Sequence, residues 1–117
     1  YLDAKAKIRR LAGAEGIDAT LVKHKLDALV TPAMSPGWLI DPINGDHYMF
    51  SGYGAAAVAG TPSLTVPMGD AHGLPLGLLF MGPAWSEARL LGYGYAFEQA
   101  SQARTSPSYL QTATPRD

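Results

Sequence analysis

Histidine, aspartate, serine and lysine are the residues in this chain able to move protons, attack a carbonyl or hold a metal, and their surroundings decide which of these they could do. His47 follows Asp46 in the segment INGDH, in a loop placed after a strand, the side of an open α/β sheet where ligands usually bind. An imidazole there could act as a base or a metal ligand. Trp38 lies in the same loop, so Trp38, Asp46 and His47 are the candidate pocket residues. A competing assignment makes Asn44, Asp46 and His47 turn and capping residues that close the loop onto the next helix. It likewise makes Trp38 and Trp85 core or lid aromatics. His24, among lysines near a helix end, reads as a solvated residue favourable to the helix dipole, and His72 as an exposed turn residue.

A nucleophile is harder to find. Exposing a serine on a strand-to-helix elbow requires G-x-S-x-G, and no serine here has that pair of glycines around it. Gly52 to Ala57 fits a loose G-x-G-x-x-A, but inside an expected helix rather than after a strand, and no G-x-x-x-x-G-K exists, so no nucleotide cofactor is expected. The chain has no cysteine, which excludes disulfides and thiolate metal sites and fits a cytoplasmic setting. Neither a metal nor a cofactor is expected.

The elements that must position the loop follow from periodicity. Ala4, Ile8, Leu11 and Ala12 form one apolar stripe on a helix expected to stop near Gly13 and Gly16. Asp18 is expected to cap a second, shorter helix, with Ile17 and Val22 as a hydrophobic staple and Leu21 and Val22 pointing inward. DALVT, closed by Pro32, is a short buried strand. Residues 32–47 hold three prolines and two glycines without a period, a long structured loop of the kind that carries function. SGYGAAAVA is a small-residue helix ended by Gly60, whose glycines ask for close backbone approach to a neighbour. SLTV and LPLGLLFM are strands joined by a turn over Gly69 to Gly73; the second is apolar on both faces, which requires helices on both sides of the sheet. Ser86 caps a last helix with Leu90, Gly94, Phe97 and Ser101 inward, up to Arg104. The order predicts an α/β layer with strands 28–31 and 63–66 parallel and 63–66 and 74–81 an antiparallel hairpin.

Composition bounds the whole. At 117 residues one domain is expected, residues 1–104, followed by a polar tail, 105–117. Charged residues make up 16% of the chain against roughly 25% in an average soluble protein, and 47% is hydrophobic, so part of the apolar surface is expected to lie against something else. The net charge is −1, and Lys5, Lys7, Arg9 and Arg10 read as a solvated helix face, so no nucleic-acid partner is expected. No stretch approaches the roughly 20 apolar residues that span a bilayer, so no membrane partner is expected either. Tyr1 opens the chain inside a helical pattern, as an excised piece would.

Together DALVTP, INGDH, AAAVAGTPSLTVPMG, GLPLGLLFMG and WSEARLLGYGYAFEQA resemble the C-terminal end of amidase signature family enzymes, over roughly residues 1–104. The most specific part is AVAGTPSLTVPMG followed closely by GLPLGLLFMGPAWSE. The resemblance implies part of a mixed central β-sheet flanked by helices, incomplete in this chain. It further implies hydrolysis of a small-molecule carboxamide through an acyl-serine intermediate, with a second serine and a lysine relaying the proton. In that family the triad sits in a Gly/Ser-rich segment well N-terminal of this region. No such run exists here, and Lys5, Lys7, Lys23 and Lys25 lie in other contexts, so no catalytic residue is assigned. The chain alone is expected to be inactive, to wall the acyl pocket through residues 32–47 and the start of the next helix, to need the N-terminal part of the enzyme, and to self-associate through an unpaired sheet edge. The other readings are a non-catalytic interaction module of the same fold and the amide-hydrolysing component of a tRNA-dependent amidotransferase.

Overall fold

A strand with large apolar side chains on both of its faces can only be stable in the middle of a layered structure. In the computed structural model, which describes residues 1–109, that strand is central. Eight elements follow one another: α1 (Leu2–Ala12), a π-helical segment (Gly13–Asp18), α2 (Ala19–His24), β1 (Leu29–Pro32), α3 (Gly54–Ala59), β2 (Ser63–Ala71), β3 (Leu74–Met81) and α4 (Glu87–Ser101). The sheet order is β1-β3-β2, with both neighbours antiparallel to β3. The hairpin expected for β2 and β3 is present. β1 and β2 run in the same direction, as expected, but β3 lies between them, so they are not paired with each other.

The two faces of β3 fill two cores. Leu79 and Met81 pack with Ile17, Leu21 and Ala56, with Leu29 of β1 against them; Phe80 packs with Val66 and Leu90, joined by Leu64, Tyr93 and Phe97. Helices therefore cover both sides of the sheet, as the two-faced strand requires. Phe80 and Phe97 meet edge to face with ring centroids 6.3 Å apart. Gly94 lets α4 lie close on β2: a Cβ there would sit 2.5 Å from Leu64 Cδ2 and 3.2 Å from Val66 Cγ1.

Several local expectations are corrected. Gly13 and Gly16 do not end the first helix, because the backbone widens into a π-helical turn and continues directly into α2. Gly16 is needed for approach instead, since a Cβ would lie 2.7 Å from the Leu11 carbonyl oxygen. With the helix unbroken, Asp18 has helical backbone angles and makes no capping bond. The staple fails with it, for Leu21 is buried and Val22 is 78% exposed. Ser86 holds the N-cap position of α4 but its Oγ donates to the Pro83 carbonyl, 2.7 Å away, rather than accepting from the helix. Ser101, expected inward, is exposed. β2 extends to Ala71, five residues beyond the expected strand, by slipping register between Pro67 and Gly69. Its turn has His72 and Gly73 at positive φ, the backbone that matches hairpin twist, and Asp70 Oδ1 accepts from the Gly73 amide at 2.7 Å. In the small-residue helix, Ala56 is fully buried and Ala59 meets the Gly13 position, while space is open around Gly54.

The molecule is broad and thin, 47 × 40 × 20 Å, with a radius of gyration of 17.0 Å where about 13 Å suits a compact chain of this length. Its accessible surface is 8780 Å², against about 6,100 Å² for a folded monomer of this mass. The stripe of α1 is part of this excess: α1 has no buried residue, and Ile8 and Leu11 border solvent with Tyr1 and Val58. The expected polar tail lies outside the described residues from 110 onward. Leu90→Ala should lower unfolding free energy by about 3 kcal/mol, whereas Val22→Ala should stay within about 0.5 kcal/mol. The shift of the urea midpoint at unchanged slope measures both.

Candidate functional site

The candidate site is the connection from β1 to α3, whose sequence forces the chain out of regular structure and then back. Pro32 ends β1, and beyond it the two arms of the loop are tied together. Met34 bridges Ser51 in antiparallel fashion, the Ser35 amide donates to the Phe50 carbonyl at 3.3 Å, and the Gly52 amide to the Ala33 carbonyl at 2.9 Å. At this tie a Cβ on residue 52 would lie 2.5 Å from both the Pro32 oxygen and Thr31 Cγ2, so only glycine fits.

The tip is organised by Asp41. Its Oδ1 accepts the amides of Ile43 and Asn44, both at 2.9 Å, its Oδ2 accepts from Asn44 Nδ2 at 2.8 Å, and its carbonyl accepts the Gly45 amide at 3.0 Å. These bonds favour the charged form, the Asn44 amide most, and hold the carboxyl below the usual aspartate range. The turn closed by Asp41 brings the second arm back beside the first. There Trp38 Nε1 donates to Asp46 Oδ1 at 3.4 Å, and Trp38 and Tyr48 meet edge to face at 6.4 Å. Tyr48 Oη in turn donates to Ser51 Oγ at 2.8 Å.

Trp38, Asp46 and His47 are thus brought together: with Leu39, Asp41, Asn44 and Gly45 they line one open groove of about 310 Å³. Asp46 and His47 are exposed and Trp38 is half-buried. Of the turn assignment, Asn44 takes part as expected, while Asp46 binds the indole instead. Asp41 was not singled out by sequence reasoning, although Asp-Pro at 41–42 is a turn-initiating pair. The groove lining has no serine and no lysine; its polar groups are the carboxylates of Asp41 and Asp46, the Asn44 amide and the His47 imidazole. Among the described residues no group of three His, Cys, Asp or Glu is placed to hold a metal. His24 ends α2 and His72 stands in the hairpin turn, as expected of both. Trp85 is 92% exposed at positive φ and borders a separate groove with Thr61, Pro62 and Glu87.

No protein-family model matches the chain. Among individual proteins, it is 37% identical to a putative amidase of Arthroderma benhamiae, over 76% of this chain and 15% of that protein. It is 34% identical to a component of the glutamyl-tRNA(Gln) amidotransferase of Pseudomonas aeruginosa, over 90% of this chain and 22% of that protein. The structure superposes on native peptide amidase from Stenotrophomonas maltophilia with a TM-score of 0.83 and 55% sequence identity, over 93% of this chain and 22% of that one. The chain belongs to the amidase signature family. It spans about one fifth of the length of these relatives and corresponds to their C-terminal part, so its three strands and flanking helices are a portion of the family's α/β fold. No described helix of this amidase-signature chain is long and apolar enough to cross a membrane.

The Asp41 turn sets a pH dependence. Because the folded-state value is lowered, the stabilisation is fully present above the ordinary aspartate value of about 4 and is lost as the pH falls through the lowered one. In a Trp85→Phe background, which leaves Trp38 as the single indole, Trp38 emission should shift on acidification below about pH 4. Asp41→Ala should show the acid-like emission already at pH 7; an unchanged spectrum would mean that Asp41 does not hold the loop.

Proposed function

We propose that this chain is the C-terminal part of a hydrolase that cleaves carboxamide C–N bonds through an acyl-serine intermediate. The observation that carries the reading is the correspondence with peptide amidase at 55% identity and a TM-score of 0.83 over nearly the whole of this chain. In this reading a serine of a preceding segment attacks the amide carbonyl, and a second serine and a lysine pass its proton to the departing nitrogen. Water then releases the acid. This chain supplies none of those three groups. Its sheet sets the 33–53 loop at the end of β1, and the loop walls the acyl side of the substrate pocket. Trp38 offers an indole face steadied by Asp46 and Tyr48, and His47 sits at the rim, its ring free to meet a polar group of the substrate.

Residues 1–104 act as one folding unit with 105–117 as a polar tail, and the enzyme is cytoplasmic, in keeping with the absence of cysteine. On its own the chain self-associates through its uncovered surface, and it engages neither nucleic acid nor membrane. A second reading, the amide-hydrolysing component of a tRNA-dependent amidotransferase, is supported by the 34% identity over 90% of this chain. The higher identity to peptide amidase favours the first.

A chimera decides between them. With residues 1–104 of this chain in place of the matching segment of the S. maltophilia peptide amidase, amide hydrolysis should persist within about tenfold of the parent enzyme's kcat/KM. In that chimera Trp38→Ala should raise KM about tenfold and leave kcat within about threefold, the signature of lost binding rather than lost chemistry. A folded but inert chimera, or amide hydrolysis by the 117-residue chain alone that disappears on mutating one of its own residues, would overturn the reading.

A further inference from the structure

Position 44 holds the single asparagine of the chain, and it precedes Gly45. The side-chain amide of asparagine is chemically labile. Where glycine follows, no side chain shields the next backbone nitrogen from that amide carbon. The 33–53 loop leaves this pair accessible. Asn44 and Gly45 are both exposed, Gly45 has positive φ, and apart from its chain neighbours no atom lies within 4 Å of where a Cβ on residue 45 would sit. Space is therefore open for the side chain of residue 44 to fold back onto the Gly45 nitrogen and for water to enter.

Asp41 restrains both reacting groups. Its Oδ2 accepts from Asn44 Nδ2 at 2.8 Å, which fixes the side-chain amide that has to turn, and its carbonyl oxygen accepts the Gly45 amide at 3.0 Å, which occupies the nitrogen that has to attack. Both bonds join groups of an exposed loop, where local opening costs little. Such a turn slows the reaction between them without preventing it.

We propose that Asn44 is a site of spontaneous deamidation, that the Asp41 turn sets its rate, and that its conversion opens the loop. The Gly45 backbone nitrogen attacks Asn44 Cγ, a C–N bond forms and the Cγ–Nδ2 bond breaks; Nδ2 leaves as ammonia, carrying the proton that the Gly45 nitrogen gives up. Water then opens the five-membered imide at either carbonyl, leaving an aspartate or an isoaspartyl linkage at position 44. Nothing is oxidised or reduced, and water is the only co-reactant. Each product undoes the turn. The aspartate sets a second carboxylate against Asp41 in place of the Nδ2 donor, and the isoaspartyl linkage adds a methylene to the main chain where the Gly45 amide meets the Asp41 carbonyl. Asn44 and Gly45 share their groove with Trp38, Asp46 and His47, so that groove changes shape and gains negative charge. The step uses this chain's own residues and does not depend on the amidase reading.

The test incubates the 117-residue chain near neutral pH, folded and in urea, and follows by mass spectrometry the tryptic peptide 26–89, which holds Asn44 and no glutamine. The folded wild type should convert about tenfold more slowly than the chain in urea, the factor that one or two such hydrogen bonds contribute. Asp41→Ala should remove most of that difference while the circular dichroism of the chain stays unchanged, because the loop is exposed. In the Trp85→Phe background, Asn44→Asp should shift Trp38 emission toward that of Asp41→Ala. A folded wild type whose residue 44 stays intact after the chain in urea has fully converted, an Asp41→Ala variant that converts at the wild-type rate, or Asn44→Asp with unchanged emission would each overturn the proposal.

Discussion

Burial of β3 on both faces is the constraint from which the rest of the fold follows. Leu79 and Met81 on one side and Phe80 on the other each need an apolar layer, so the chain must place helices on opposite sides of the sheet within little more than a hundred residues. The π-helical widening between α1 and α2 serves that end, since it delivers Ile17 and Leu21 together onto Leu79 and Met81. α4 does the same opposite, with Leu90 and Phe97 against Phe80 and a glycine where β2 comes too close for a side chain.

The loop after β1 depends on that frame at one end and on its own polar bonds at the other. The ties between Ala33–Ser35 and Phe50–Gly52 fix its stem to the sheet, and the Asp41 turn folds its tip so that Trp38 meets Asp46 and Tyr48. Each of these contacts is modest alone, as hydrogen bonds of exposed groups are. Together they give an irregular segment a defined shape without burying it, as the pocket wall proposed for it requires.

Much of this was legible in the sequence because it rests on period and punctuation. The limits of β3 are those read from its unbroken apolar run, and Gly60 ends the small-residue helix as a left-handed cap. Trp38, Asp46 and His47, singled out as loop residues after a strand, do share one groove. What was missed depends on choices a sequence does not print. A π-helical turn lets a helix pass two glycines that ordinarily stop it, and once it does, Asp18 has no free helix end to cap and Val22 rotates to solvent. The common direction of β1 and β2 was legible, whereas the insertion of β3 between them is decided by which strand is apolar on both faces.

The surface that this chain leaves uncovered bears on everything else. Apolar side chains such as Ile8, Leu11, Val30 and Leu91 stand in water in a molecule only 20 Å thick, which is unfavourable for a chain so poor in charge. Sedimentation velocity of the purified chain across micromolar concentrations tests this most directly. Reversible or progressive association beyond the 12.4 kDa monomer is the expected result. A monodisperse monomer at all concentrations, with the frictional ratio of a compact sphere, would contradict it.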